Sequence, residues 1–192
     1  MTKGPLIILS GPGGVGKSTL IRQALTRGEL PLRLSVSVTT RAQRKGEQDG
    51  VDYYFWNRDR FVEELKRGAF LEHAEVVGNY YGTLAAEVEP HRLKGTGVLL
   101  DIDVQGLRQV REKCLDAVAV FVRASSPQAY EERLRKRGTE TETAIQRRLE
   151  LAKEEVSHAD EYDHQLINDD LETALASFLE ILHRVFERTK HA

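Results

Sequence analysis

The stretch Leu6-Ile7-Ile8-Leu9-Ser10-Gly11-Pro12-Gly13-Gly14-Val15-Gly16-Lys17-Ser18 decides the fold. Four apolar residues run directly into a glycine loop, and a segment of helical periodicity follows from Lys17 to about Arg27. The loop fits the pattern G-x4-G-K-S/T. Its glycines let successive backbone N–H groups turn inward at phosphate oxygens, and the helix behind it adds the positive end of its dipole. Lys17 supplies a mobile cation for β- and γ-phosphates, and Ser18 a hydroxyl for Mg2+. A chance glycine turn lacks the flanking elements. Gly11, Pro12, Gly13, Gly14, Val15, Gly16, Lys17, Ser18 and Thr19 therefore read as a site for a nucleoside triphosphate, expected to be ATP with Mg2+.

Outward from this loop, strand and helix alternate. Arg33–Val38, Val98–Ile102, Ala117–Val122 and Gln165–Ile167 read as further short apolar strands. Helices are predicted over Asp103–Lys113, from Pro127 to about Arg137 with Ser126 as N-cap, through Ile145, Leu149, Ala152, Val156 and Ala159, and over Leu171–Arg188. Thr139 and Glu142 suit a capping box. Strands separated by more than hairpin length, with helical crossovers, imply a parallel sheet covered on both faces. The fold class is thus α/β, a P-loop NTPase-type core. The segment 37–90 differs: strand Tyr53–Trp56, helix Arg58–Lys66, and strands Phe70–Val77 and Tyr80–Leu84 flanking a Gly78-Asn79 hairpin signal. It reads as an insertion on the core (1–36, 91–124 and 160–192), with a helical lid over about 125–159, all in one domain.

Composition narrows the function. The 192 residues are 40% hydrophobic, with 28 basic against 30 acidic side chains, a formal net charge of -2. A globally basic nucleic-acid binder is not expected, nor is a membrane partner, because no apolar run nears the roughly 18 residues of a span. Only Leu6–Leu9 precede the glycines, too few for a signal-peptide core, so a cytoplasmic location is expected. The single cysteine, Cys114, has no internal disulfide partner and reads as a packed thiol. The six histidines lack metal-ligand spacing.

The remaining chemistry sits in a few carboxylates, arginines and tyrosines. Gly97–Asp101 ends an apolar strand in a carboxylate that suits Mg2+ support beside the loop; a helix N-cap at Asp101 or Asp103 is the plain alternative. Arg41 and Arg44, three apart, can grip one phosphate from two sides or form a solvated basic loop. Tyr53 and Tyr81 offer neutral donors, or cross-strand packing. Glu72, in Phe70-Leu71-Glu72, is a carboxylate in an apolar setting and needs a partner. From Arg123 to Arg148 there are seven basic and four acidic residues, in a chain that is negative overall.

The run Ser35–Glu47 (S-V-S-x-T-T-R-x-x-R-x-G-E), then Asp52-Tyr53, Glu72, Gly78–Thr83, Leu100–Gly106 and Arg137–Thr141 resembles the guanylate kinases, from Leu6 to Asp170. The resemblance implies transfer of the γ-phosphate of ATP to GMP, in a molecule with a core, a GMP-binding insertion and a mobile lid. It places Ser37, Arg41, Arg44, Tyr53, Glu72, Tyr81 and Thr83 on GMP, with Asp101 and Asp103 between the nucleotides. Arg41, Arg44, Tyr53 and Tyr81 would hold the monophosphate, and Ser37 and Thr83 would face guanine O6. Arg133, Arg137 and Arg148 match the lid arginines, with Arg137 and Arg148 flanking a turn at Gly138–Glu142. The implied catalytic set is Lys17, Arg44, Arg137 and Arg148, with Ser18 and Asp101 at the metal and Arg133 and Asn168 on ATP, Asn168 mainly through its backbone.

Glu72 fits this assignment chemically. Guanine presents N1–H and N2–H2 side by side, and one carboxylate accepts both; adenine turns a lone pair towards it. A buried polar mismatch of this kind rejects the wrong ligand by roughly 10⁴-fold. Three positions depart from the family pattern: Gly13 for serine, Gln43 for proline, expected to loosen the loop, and Val38 for a small hydroxyl residue. Two rival readings are a non-catalytic phosphopeptide-binding module, against which Lys17, Ser18, Arg137 and Arg148 all stand, and a kinase of sugar phosphates, which has no need of Glu72.

Overall fold

The computed structural model describes residues 2–136 and 141–191. Arg137, Gly138, Thr139 and Glu140, and with them one predicted catalytic arginine and half of the predicted capping box, lie outside the described residues. The capping role belongs to Thr141, whose side chain accepts from the Ala144 N–H at the start of helix α6 (Glu142–Ser157).

The core is a five-stranded, all-parallel sheet in the order β2-β7-β1-β8-β9. Its strands are β1 (Leu6–Ser10), β2 (Leu32–Leu34), β7 (Gly97–Asp101), β8 (Val118–Arg123) and β9 (His164–Ile167). Central β1 is buried on both faces, so its short apolar run has no polar alternation. Ile7 and Leu9 pack with Leu20 of α1 (Lys17–Arg27) and with Phe178 and Leu182 of α7 (Leu171–His191). Leu6 and Ile8 pack on the other face with Leu107 and Val110 of α4 (Val104–Lys113). The loop is thereby launched from the middle of the sheet. Helix α5 (Pro127–Lys136) follows β8, its first turn capped by Ser126 Oγ, which accepts from the Ala129 N–H at 3.1 Å. No helix among the described residues is long and apolar enough to cross a membrane.

The insertion is a second sheet, β4-β3-β6-β5. Its strands are β3 (Val38–Thr39), β4 (Tyr54–Phe55), β5 (Phe70–Val76) and β6 (Asn79–Leu84), with α2 (Arg58–Lys66) alongside. Phe61 of α2 stacks on Phe70 and Tyr80, ring centroids 4.5 and 5.2 Å apart. The predicted strand Arg33–Val38 is two strands in two sheets: the Ser35 N–H makes a last bond to Leu99 O, and Val38 then pairs with Tyr54 and Gly82. The hairpin turn is Val77-Gly78, not Gly78-Asn79, because Val76 pairs with Asn79. Both turn residues have positive φ, 50° at Val77 and 76° at Gly78, as a two-residue turn of the primed type requires.

Helix α3 (Ala85–Leu93) was not predicted. Pro90 within it reads as a helix breaker, and its sequence has a weak apolar stripe. Helix α4 covers the free edge of β5 with side chains. Gln109 accepts from the His73 N–H at 3.1 Å and donates to His73 O at 2.7 Å, and Lys113 donates to Phe70 O and Leu71 O.

Candidate active site

A cleft of about 760 Å³ separates the two sheets. It brings together Gly11, Gly13, Lys17, Ser37, Tyr53, Glu72, Tyr81, Asp101 and Asp103, all predicted site residues from distant parts of the chain.

At one end, Gly11, Gly14 and Gly16 adopt φ of 141°, 94° and 103°, the region that favours glycine. A Cβ at Gly11 would collide with the Val122 carbonyl, so only glycine lets the loop leave β1 beside β8. Pro12 O accepts from the Val15 N–H at 3.1 Å, and Gly16 O accepts from the Thr19 N–H, closing the loop into α1. Lys17 Nζ folds back onto Gly11 O at 2.5 Å. Asp101 sits on the cleft floor at the C-terminal end of β7. Crowding by the surrounding protein raises its carboxyl above the usual range, and Lys17 opposes this. Asp103 is the N-cap of α4, accepting from the Gly106 N–H at 3.0 Å, so of the two aspartates it is Asp103 that caps the helix.

Ser18 borders a second cavity of about 480 Å³ that Asp101 also lines. Two oxygen donors beside one phosphate-binding loop suit Mg2+, which keeps waters and takes its other ligands from substrate phosphates. No group of three or more His, Cys, Asp or Glu that could hold a metal ion occurs among the described residues.

At the other end, Glu72 is 4% exposed. A bulge at Leu71 turns the strand: Leu71 packs with the core sheet, Phe70 packs in the insertion, and Glu72 faces the cleft directly opposite Thr83. Thr83 Oγ1 donates to Glu72 Oε1 at 2.6 Å. Burial is the main cause that pushes the Glu72 carboxyl from its usual 4.5 up to about 7; the Thr83 bond opposes it and Asp103 adds to it. Thr83 is fully buried, and its hydroxyl holds the carboxylate. Gly106 carries a signal visible only in three dimensions: a Cβ there would lie 2.7 Å from Glu72 Oε2.

Arg41 stands over the ring of cleft-lining Tyr53, its guanidinium carbon 5.5 Å from the ring centroid, and Arg44 follows on the same loop. Glu47, the last residue of the Ser35–Glu47 run, organises both. Its carboxylate forks onto the Arg41 guanidinium at 2.8 and 3.1 Å and accepts from the Arg44 N–H at 2.8 Å. The pairing with Arg41 holds the Glu47 carboxyl below the usual range. The Arg44 side chain is exposed. Gln43 closes this turn by donating from Nε2 to Glu47 O at 2.5 Å, where the absent proline ring had suggested a looser loop. Burial, with Asp101 second, raises the Tyr53 hydroxyl pKa. The Tyr53 ring meets Tyr81 edge-on at 6.1 Å.

Three predicted ATP or lid residues grip the outside of the loop. Asn168 is 2% exposed and donates from Nδ2 to Val15 O at 2.7 Å. Arg133 donates to Val15 O at 2.9 Å and to Asp169 O at 3.0 Å. Arg148 Nη1 reaches Gly13 O at 3.5 Å. From α6, Leu151 and Glu155 also line the cleft, a placement that only tertiary packing dictates. Burial raises the Glu155 carboxyl; Lys17 counters this and Asp103 adds to it.

The sequence profile of the guanylate kinase family matches residues 3–185. The guanylate kinase of Rubrobacter xylanophilus is 50% identical over 186 residues, 96% of each chain. The chain belongs to the guanylate kinase family. The guanylate kinase of Vibrio vulnificus is 46% identical over 95% of this chain and 88% of its own. The crystal structure of guanylate kinase from Anaplasma phagocytophilum superimposes with a TM-score of 0.77 at 36% identity, covering 96% and 87% of the two chains. A gluconokinase from Sinorhizobium meliloti, at a TM-score of 0.51 and 12% identity, shares the fold alone. The α/β fold and the kinase reading both agree with guanylate kinases, and the chain is a nucleotide-binding transferase.

Proposed function

We propose that the protein transfers the γ-phosphoryl group of ATP to GMP, giving ADP and GDP. The observation that carries this reading is the buried Glu72 carboxylate, held by Thr83 across the same cleft as Lys17. A carboxylate opposite a phosphate-binding loop calls for an acceptor with adjacent donors, and the guanine edge supplies them.

ATP lies along Gly11–Thr19, and GMP lies between Glu72 and the tyrosines. An oxygen of the GMP phosphate attacks the γ-phosphorus in line; that O–P bond forms as the bond to the β-phosphate oxygen breaks, and ADP leaves. Lys17 leaves Gly11 O to follow the transferring group, and Arg44, Arg137 and Arg148 stabilise its equatorial oxygens. Arg41, steadied by Glu47, holds the acceptor phosphate with Tyr53 and Tyr81. Mg2+, held through Ser18 and by Asp101 through water, would screen the β- and γ-phosphates. Closure of the lid excludes water, which otherwise hydrolyses ATP. A coupled ADP-release assay over GMP, AMP, CMP, UMP and ribose phosphates tests this: turnover is expected with GMP alone, and equal turnover with AMP overturns it.

A further inference from the structure

The outer side of the phosphate loop carries a contact that the transfer chemistry leaves without a role. The Tyr130 hydroxyl, from lid helix α5, donates to Gly13 O at 2.6 Å, where Arg148 Nη1 also reaches at 3.5 Å. Two residues on, Val15 O is held by Asn168 at 2.7 Å and by Arg133 at 2.9 Å. The gripped carbonyls thus alternate along the loop. In a planar trans peptide, the C=O of one residue and the N–H of the next point to opposite sides. Pulling Gly13 O outward therefore turns the Gly14 N–H inward, as the grip on Val15 O turns the Gly16 N–H. Both recipients are glycines at positive φ, 94° and 103°, so the chain by itself leaves these peptide planes several orientations.

Tyr130 is well placed to make the choice. It is 5% exposed, and its ring packs with Leu134, Ile145 and Ala152 of α5 and α6. That packing holds the ring, and the hydroxyl at its tip meets the loop at Gly13 O. We propose that Tyr130 is a positioning residue for the phosphate donor: its hydroxyl sets the Gly13–Gly14 peptide so that the Gly14 N–H meets the nucleotide phosphates. The inference rests on reading the loop as the donor site, not on which acceptor is used.

Tyr130→Phe keeps the ring and removes the hydroxyl. Calorimetric titration with ADP and steady-state kinetics test it. Loss of the bond to Gly13 O is expected to weaken ADP binding and raise the KM for ATP about 3- to 10-fold. The KM for GMP should move less than about twofold, because the acceptor end makes no use of this bond. Tyr130→Leu, which keeps an apolar side chain, should match the Phe variant in ADP affinity. Unchanged ADP affinity in Tyr130→Phe, or equal rises in both KM values, would overturn the proposal, and so would a much larger loss in the Leu variant. A wrong acceptor assignment appears differently, as normal ADP binding by the unaltered protein without GMP-dependent turnover.

Discussion

Replacing Glu72 by glutamine should make the empty protein more stable while crippling acceptor recognition. Unfolded, the carboxyl releases its proton near 4.5; folded, it holds the proton until about pH 7. The folded state therefore binds more protons between those values, and stability falls as pH rises through that window. A tenfold displacement of the proton equilibrium is worth about 1.4 kcal/mol, so keeping the buried carboxylate ionised at pH 8 costs about 3 kcal/mol. Glutamine keeps the shape and an acceptor oxygen for Thr83, and it never ionises. In a domain of this size, the relief raises the melting temperature by about 5–10 °C. Thermal denaturation at pH 8 and pH 5 tests this: the variant should melt higher at pH 8, and the gap should shrink to about a quarter at pH 5. The KM for GMP should rise about 10²-fold or more, as two hydrogen bonds to a charge are lost, with the KM for ATP unmoved. In the unaltered protein the KM for GMP should rise about tenfold from pH 8 to pH 6, as the carboxylate titrates. A variant no more stable at pH 8, or a gap of the same size at pH 5, would refute the reasoning.

Lys17→Ala should lower kcat by about 10³-fold while leaving GMP binding, measured by calorimetry, unchanged. Gly106→Ala should raise the KM for GMP about tenfold or more, because the new methyl group meets the Glu72 carboxylate; alanine otherwise favours a helix by about 1 kcal/mol, so a fall in melting temperature would have to come from that collision. Val77→Gly relieves a β-branched residue at φ 50°, and denaturant unfolding should show about 1 kcal/mol of added stability with unaltered kinetics.

Much of the fold was legible because its signals are local. The run Leu6–Ser10, the loop glycines and the periodicity of Lys17–Arg27 each fix their own conformation, and the structure reproduces both element boundaries. Where local and tertiary signals compete, the sequence misleads. Pro90 hides α3, which exists because Val88 is buried against the core sheet. The break at Ser35–Ser37 depends on which sheet each strand joins, and strand propensity is silent on that. The need of Glu72 for a partner was readable from its apolar neighbours, but not that Thr83 meets it, since a one-residue bulge sets that register. Glu47, Gly106 and Tyr130 act through contacts that only the folded chain makes; the motif runs include the first two without saying what they touch.

Helix α4 has a consequence for any attempt to re-engineer the acceptor. Its first turn abuts the Glu72 carboxylate at Gly106, its later turns clip the backbone of β5 through Gln109 and Lys113, and its opposite face is anchored beneath the sheet by Leu107 and Val110. The 37–90 insertion is therefore not an exchangeable cassette. A chimera importing a foreign 37–90 segment while retaining Val104–Lys113 would inherit fittings cut for another part, and the helix would have to be transplanted with it.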